Sequence, residues 1–176
     1  MGHHVQIRRE IIQMKPSEAM LQALNKQANS EFESAYIYLS MSYDMAKLGL
    51  KGFSHWLQRQ YEEERIHAFK ILSYVEEQDG AIELFTIPAY EQKFTCPLKA
   101  AQAVLGHEEK VTAQMYDLFG QARKENDYAT ELFLQWFVTE QIEEEVNGRN
   151  LVEKFTKANS DQSAMLQIDG SLGARP

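Results

Sequence analysis

Glu31, Glu64, His67, Glu108, Gln141 and Glu144 have side-chain types and spacings that suit redox chemistry on a bound metal. Glu31 and Glu64 are 33 positions apart, as are Glu108 and Gln141, and in each case another polar residue, His67 or Glu144, follows three positions later. On a helix, residues three apart sit on adjacent turns of one face, so each pair can aim at a single centre. Hard carboxylate oxygens with one imidazole suit Fe(II) and stabilise Fe(III), and the carboxylates of Glu31, Glu64, Glu108 and Glu144 would neutralise two ferrous ions. So few strong ligands for two metals leave coordination positions open to dioxygen, which is the requirement of an oxidase site and not of a closed structural one.

That chemistry requires helices that bring the residues together. Pro16 and Ser17 form a start signal, and no proline or glycine follows from Glu18 to about Leu48. Leu24, Ala28, Glu31, Ala35 and Tyr38 recur along this run at three- and four-residue steps, giving one inward face. After a turn at Gly49 to Gly52, a second pattern runs from about Phe53 to Gln78 with Leu57, Gln60, Glu64, His67, Ile71 and Val75 inward. A third begins at Pro97 and runs to about Asn126, with Ala101, Leu105, Glu108, Val111 and Met115 inward. The fourth runs from near Asp127 to about Ala158 along Leu134, Phe137, Gln141, Glu144, Gly148 and Leu151. A short fifth helix is expected over about 162–169, ending before Gly170 and Gly173.

Between the second and third patterns, residues 81–96 contain Pro88 and several aromatics without a helical period. Extended at about 3.3 Å per residue this stretch spans roughly 50 Å. A helix of about 27 residues is only about 40 Å long. The connection can therefore traverse the bundle and make the second and third helices parallel. The expected fold is all-α, a four-helix bundle with one long crossover and a short C-terminal helix.

In such a bundle every helix carries a polar, mostly acidic residue in the middle of an apolar face. Unpaired carboxylates are costly in a core, and the inward lines contain no Lys or Arg to pair with them. A bound cation is the common cause. Composition agrees: 176 residues fit one domain, and a net charge of -8 disfavours nucleic acid and is compatible with attracting cations. Cys96 is the only cysteine, so neither an intrachain disulfide nor a cysteine cluster can form, and a reducing cytoplasm is the natural location. Apolar stretches are too short for a membrane span. Residues 1–13 read as an N-terminal extension, a tag remnant or upstream sequence, with Met14 an alternative start and 14–176 a single domain.

From about Ser17 to Ala158 the chain resembles the bacterial non-haem ferritins, on its Glu64-Arg65-Ile66-His67 element and on Phe133-Leu134-Gln135-Trp136-Phe137-Val138 before Glu140-Gln141. The resemblance implies a ferritin-like bundle that oxidises Fe(II) to Fe(III) with dioxygen or peroxide and stores ferric mineral inside a cage of 24 subunits. It implies one iron held by Glu31, Glu64 and His67 and a second by Glu64, Glu108 and Glu144. Gln141 would lie near the first iron and bond its water or oxygen ligand, and Tyr38 would be a redox-active tyrosine beside the site. A third iron would match Glu63, Glu140, Glu143 and Glu144. Bacterioferritins and rubrerythrin-like peroxidases are expected to carry a second Glu-x-x-His in the fourth helix, where this chain has Gln141-Ile142-Glu143-Glu144. Arg65 follows Glu64 where a bacterioferritin has its haem-ligating methionine, so no haem is expected.

Other readings remain open at this point. The same ligands could serve a di-iron oxidase or peroxidase that stores nothing, and a metal-free helical scaffold would leave the glutamates unexplained. Glu63, Glu140 and Glu143 are explained nearly as well by surface charge. His107 adjoins Glu108, but helix neighbours point about 100° apart, which leaves it outside the ligand set.

Overall fold

A computed structural model describes residues 15–159 and 161–174. The described chain forms α1 (Glu18–Lys47), α2 (Lys51–Glu77), α3 (Pro97–Glu125), α4 (Tyr128–Ala158) and α5 (Gln162–Gly173), with no strand among the described residues. The expected N-terminal extension lies outside the described residues. Among the described residues no helix is long and apolar enough to cross a membrane.

The helix ends follow local chemistry. Ser17 Oγ accepts the Met20 N–H at 3.1 Å and caps α1. Pro97 occupies the first turn of α3, where its missing N–H costs nothing. Asn126 ends α3 in the left-handed conformation, and the adjacent Asp127 caps α4 by accepting the Thr130 N–H. The start of α2 has no capping side chain at Leu50. Its Phe53 N–H is instead taken by Asp169 Oδ1 of α5, at 2.8 Å.

This contact also corrects the expected end of the last helix. α5 continues through Gly170 to Gly173, beyond the expected stop near residue 169. At Gly52 an added Cβ would sit 1.8 Å from the Asp169 carbonyl oxygen, and one at Gly173 would come 3.2 Å from the Gly52 Cα. Two glycines, Gly52 and Gly173, therefore serve close approach of α5 to α2.

The crossover has the expected length and direction, and α1 fastens it. Asn25 donates from Nδ2 to the Ala81 carbonyl and accepts the Glu83 N–H, Asn29 accepts the Phe85 N–H, and Asp44 accepts the Phe94 N–H. From Asn25 to Asp44 is about 28 Å of helix at 1.5 Å per residue. The segment thus climbs the outside of α1 from the end of α2 to the end where α2 began, and α3 starts there, parallel to α2.

The apolar core is split. One cluster holds Met20, Leu24, Ile71, Val75, Met115 and Leu134, and the other Met41, Phe53, Leu57, Val104, Leu151 and Phe155. On α3 the expected Ala101, Glu108, Val111 and Met115 are buried, Val104 joins them, and Leu105 is half-buried against Gly148. Between the clusters lies a buried polar layer.

Candidate metal centre

Each of the four long helices, α1 to α4, contributes to that layer at the point where its apolar line is interrupted. α1 supplies Glu31, α2 Gln60, Glu64 and His67, α3 Glu108, and α4 Gln141 and Glu144, and all are buried. The flanking apolar clusters fix these helices in register, so the side chains converge without choosing among solvent-facing alternatives.

Glu31, Glu64 and His67 form the tightest group: one ligand atom from each lies within 4.8 Å of the others. His67 Nδ1 is 3.1 Å from Glu64 Oε2. Gln27, one turn before Glu31, donates to Glu31 Oε1 at 2.9 Å, but Glu31 Oε2 is buried with no hydrogen-bond partner. A desolvated carboxylate oxygen without a hydrogen-bond partner is a deficit that a cation would remove.

Glu108 and Glu144 complete the layer from the second hairpin. Tyr38 Oη donates to Glu108 Oε1, and Gln141 Nε2 donates to Glu108 Oε2 at 3.2 Å. Gln60 Nε2 donates to Glu144 Oε2 at 2.9 Å. Two of these bonds join the hairpins, α1 to α3 and α2 to α4. Gln141 is engaged with Glu108 and with Thr112 Oγ1, at 3.4 Å, on the second hairpin's side of the layer. The role of binding a ligand of the first iron, which the resemblance assigns it, would require that amide to turn from Glu108.

The electrostatics are those of an acidic cluster awaiting positive charge. Burial, then the neighbouring Glu64, holds Glu31 well above the usual carboxylate range. Burial, then Glu108 and Glu144, does the same to Glu64. Burial raises Glu108, and burial followed by Glu108 and Glu63 pushes Glu144 up to about 8. The cluster therefore holds protons when it holds no metal. Burial and then Glu108 also raise the Tyr38 phenol well above its usual range.

The remaining candidates fall at the edge. Glu63 and Glu140 are half-buried and Glu143 is exposed. Glu63 acts electrostatically on Glu64 and Glu144, but among the described residues these three glutamates do not close into a tight ligand group. His107 turns away from the acids: its Nε2 lies 2.7 Å from Ser34 Oγ and its ring meets Tyr38 edge-on. Burial, then Lys110, lowers it to about 4, so it is a neutral packing residue. Trp136 is exposed, yet its ring meets His67 edge-on.

Sequence reasoning missed Gln27 and Gln60 as partners of the acids. The signal was present, because each lies four residues before a central glutamate and the two are themselves 33 positions apart. Thr112, four residues after Glu108, gave no such signal.

Comparison with known proteins supports the same reading. A model of the ferritin-like domain matches residues 21–158. The bacterial non-heme ferritin of Staphylococcus aureus (strain USA300) is 34% identical over 159 residues, covering 90% of this chain and 96% of the relative. That of Bacteroides fragilis (strain 638R) is also 34% identical, covering 90% and 99%. The crystal structure of an open pore ferritin from the archaeon Archaeoglobus fulgidus superposes with a TM-score of 0.89 at 41% identity, covering 91% of this chain and 98% of that one. With its interrupted helix faces, buried acidic layer and near full-length relatives, the chain belongs to the ferritin family.

Proposed function

We propose that this protein oxidises Fe(II) to Fe(III) with dioxygen or peroxide and stores the ferric product inside an oligomeric cage. The observation that carries this reading is the buried layer of Glu31, Glu64, His67, Glu108 and Glu144, which is costly in a core unless metal fills it. Iron is the substrate. Glu31, Glu64 and His67 hold one ion, Glu64, Glu108 and Glu144 the other, and Glu64 is shared. Tyr38, hydrogen-bonded to Glu108, is the redox-active tyrosine. Gln141 orients Glu108 and is the side chain free to exchange that bond for a ligand of the first iron. Glu63, Glu140, Glu143 and Glu144 form a weaker third position through which iron leaves for storage.

The residues also manage protons. A cation entering the layer displaces protons from carboxyls that burial keeps neutral, and the displaced protons leave net charge nearly unchanged. Gln27 and Gln60 each fix one carboxylate oxygen, which leaves the other oxygen directed at metal. The ferritin-like domain spans 14–176, a cage of 24 subunits supplies the cavity for mineral, and the cytoplasm is its location.

Sizing chromatography and iron loading test the proposal together. A large assembly that takes up Fe(II) aerobically, far beyond a few ions per subunit, is the expected result. A monomer or dimer, or uptake that stops at two or three ions, would refute storage and leave a di-iron oxidase.

A further inference from the structure

A chain of aromatic side chains leads from the metal layer along α2 and α4. The His67 ring meets Trp136 and Phe137 edge-on, with centroids 5.4 and 6.0 Å away. Phe137 meets Phe133 at 5.5 Å, and Phe133 lies flat on Tyr74 at 3.9 Å, only 8° from parallel. Tyr74 is 8% exposed. Its hydroxyl lies 2.9 Å from Thr130 Oγ1, and Thr130 Oγ1 donates its own proton to Asp127 Oδ2 at 2.6 Å. A hydroxyl has one proton, so Thr130, donating to a carboxylate, must accept from Tyr74. The phenol therefore has a defined proton path, Tyr74 to Thr130 to Asp127. Burial holds the phenol above its ordinary range, so the protonated form occupies this position.

We propose that Tyr74 is a second oxidisable side chain for the iron reaction, donating an electron through Phe133 and Phe137 and its proton through Thr130 to Asp127. This rests on the ferroxidase reading above, with dioxygen as the oxidant. Reducing dioxygen to water breaks the O–O bond and takes four electrons and four protons. A pair of Fe(II) ions supplies half of the electrons, and Tyr38 and Tyr74 supply one each, becoming neutral tyrosyl radicals, with the Tyr38 proton passing to its hydrogen-bond acceptor Glu108. The Tyr74 O–H bond breaks as its proton moves to Thr130 Oγ1 while the Thr130 proton passes to Asp127. The protons consumed at the centre come from solvent.

Trp136 is nearer to His67 but less suited to keep the oxidising equivalent. It is 38% exposed, and Lys70 Nζ lies 3.9 Å from its ring centroid. A cation is attracted by the electron density of an indole face, and it opposes withdrawal of an electron from that ring. Tyr74 has a stacked ring, little solvent and a proton acceptor, so the equivalent settles there.

Freeze-quench electron paramagnetic resonance after mixing Fe(II)-loaded protein with dioxygen tests this, with Fe(III) formation followed separately. In Tyr38→Phe, where a further Fe(II) ion supplies the fourth electron in place of Tyr38, a tyrosyl signal should remain, and it should be lost in Tyr38→Phe/Tyr74→Phe. Phe133→Leu in the Tyr38→Phe background retains the phenol and its proton path but breaks the stack, and should also diminish the signal. Iron oxidation in Tyr38→Phe without a tyrosyl signal, or a signal surviving in the double variant, would overturn the assignment and leave the ferroxidase reading standing. A wild-type protein that forms no Fe(III) would overturn both.

Discussion

Raising the pH should destabilise the metal-free protein over a range where most proteins change little, and the cause lies in the buried acids. Glu144 keeps its proton to about pH 8 instead of the ordinary 4.5, because of burial first and of Glu108 and Glu63 second. In the unfolded chain it would ionise near the ordinary value. Between these limits the unfolded state binds fewer protons than the native state, so stability is full below about pH 4.5 and is lost as pH rises through about 8. At about 1.36 kcal/mol per pH unit, Glu144 alone accounts for about 5 kcal/mol over that interval. Glu31, Glu64 and Glu108 act with the same sign. The assay is unfolding of metal-free protein from pH 5 to 9, beside Glu144→Gln, whose amide never ionises and still offers Gln60 an acceptor oxygen. The wild-type Tm should fall across the range, and the variant should show a shallower fall. Adding Zn(II) should restore stability and release protons into weakly buffered solution, since bound cations replace them. A metal-free wild type whose Tm stays level or rises between pH 5 and 8 would refute the argument.

Two further substitutions probe the centre and the frame. Glu64→Ala removes the ligand proposed to be shared by both ions and should abolish rapid Fe(II) oxidation in stopped-flow absorbance, whereas His67→Ala or Glu31→Ala should chiefly weaken the first position; unchanged kinetics in Glu64→Ala would remove the site. Asp169→Ala withdraws the cap that α5 lends to α2 and should cost about 1 kcal/mol. Faster amide exchange at Phe53 is the specific readout, because that N–H loses its acceptor; unaltered exchange there would show that the bond is not formed in solution.

The helices and the centre were legible in the sequence for one physical reason: burial of an amphipathic face forces a period, and an acid inside that period is visible as an exception. Glu31, Glu64, His67, Glu108 and Glu144 all stand in inward lines, and the structure buries each of them in one layer. The end of α5 was not legible, because a glycine carries the same letter whether it stops a helix, as Gly170 does not, or admits a neighbour, as Gly173 admits Gly52. On α3 only the burial of Val104 was not legible, because Val104 and Leu105 are both apolar neighbours, and Leu105 packs half-buried against Gly148 while Val104 is the more buried of the two. The hold of Asn25, Asn29 and Asp44 on the crossover was also hidden. Polar residues on an outer helix face look like solvated surface until the backbone they bind is placed beside them.

Those fasteners have a consequence for synthesis. Every side chain named as pinning the crossover belongs to α1, which leaves the ribosome before the crossover does. α2 then finds α1 to pack against, the crossover finds its row of acceptors already formed, and α4 finds α3. The crossover backbone thus meets its fasteners as soon as it is made, which holds the α1–α2 hairpin ready for the second hairpin and shortens the time its apolar face stays open to aggregation.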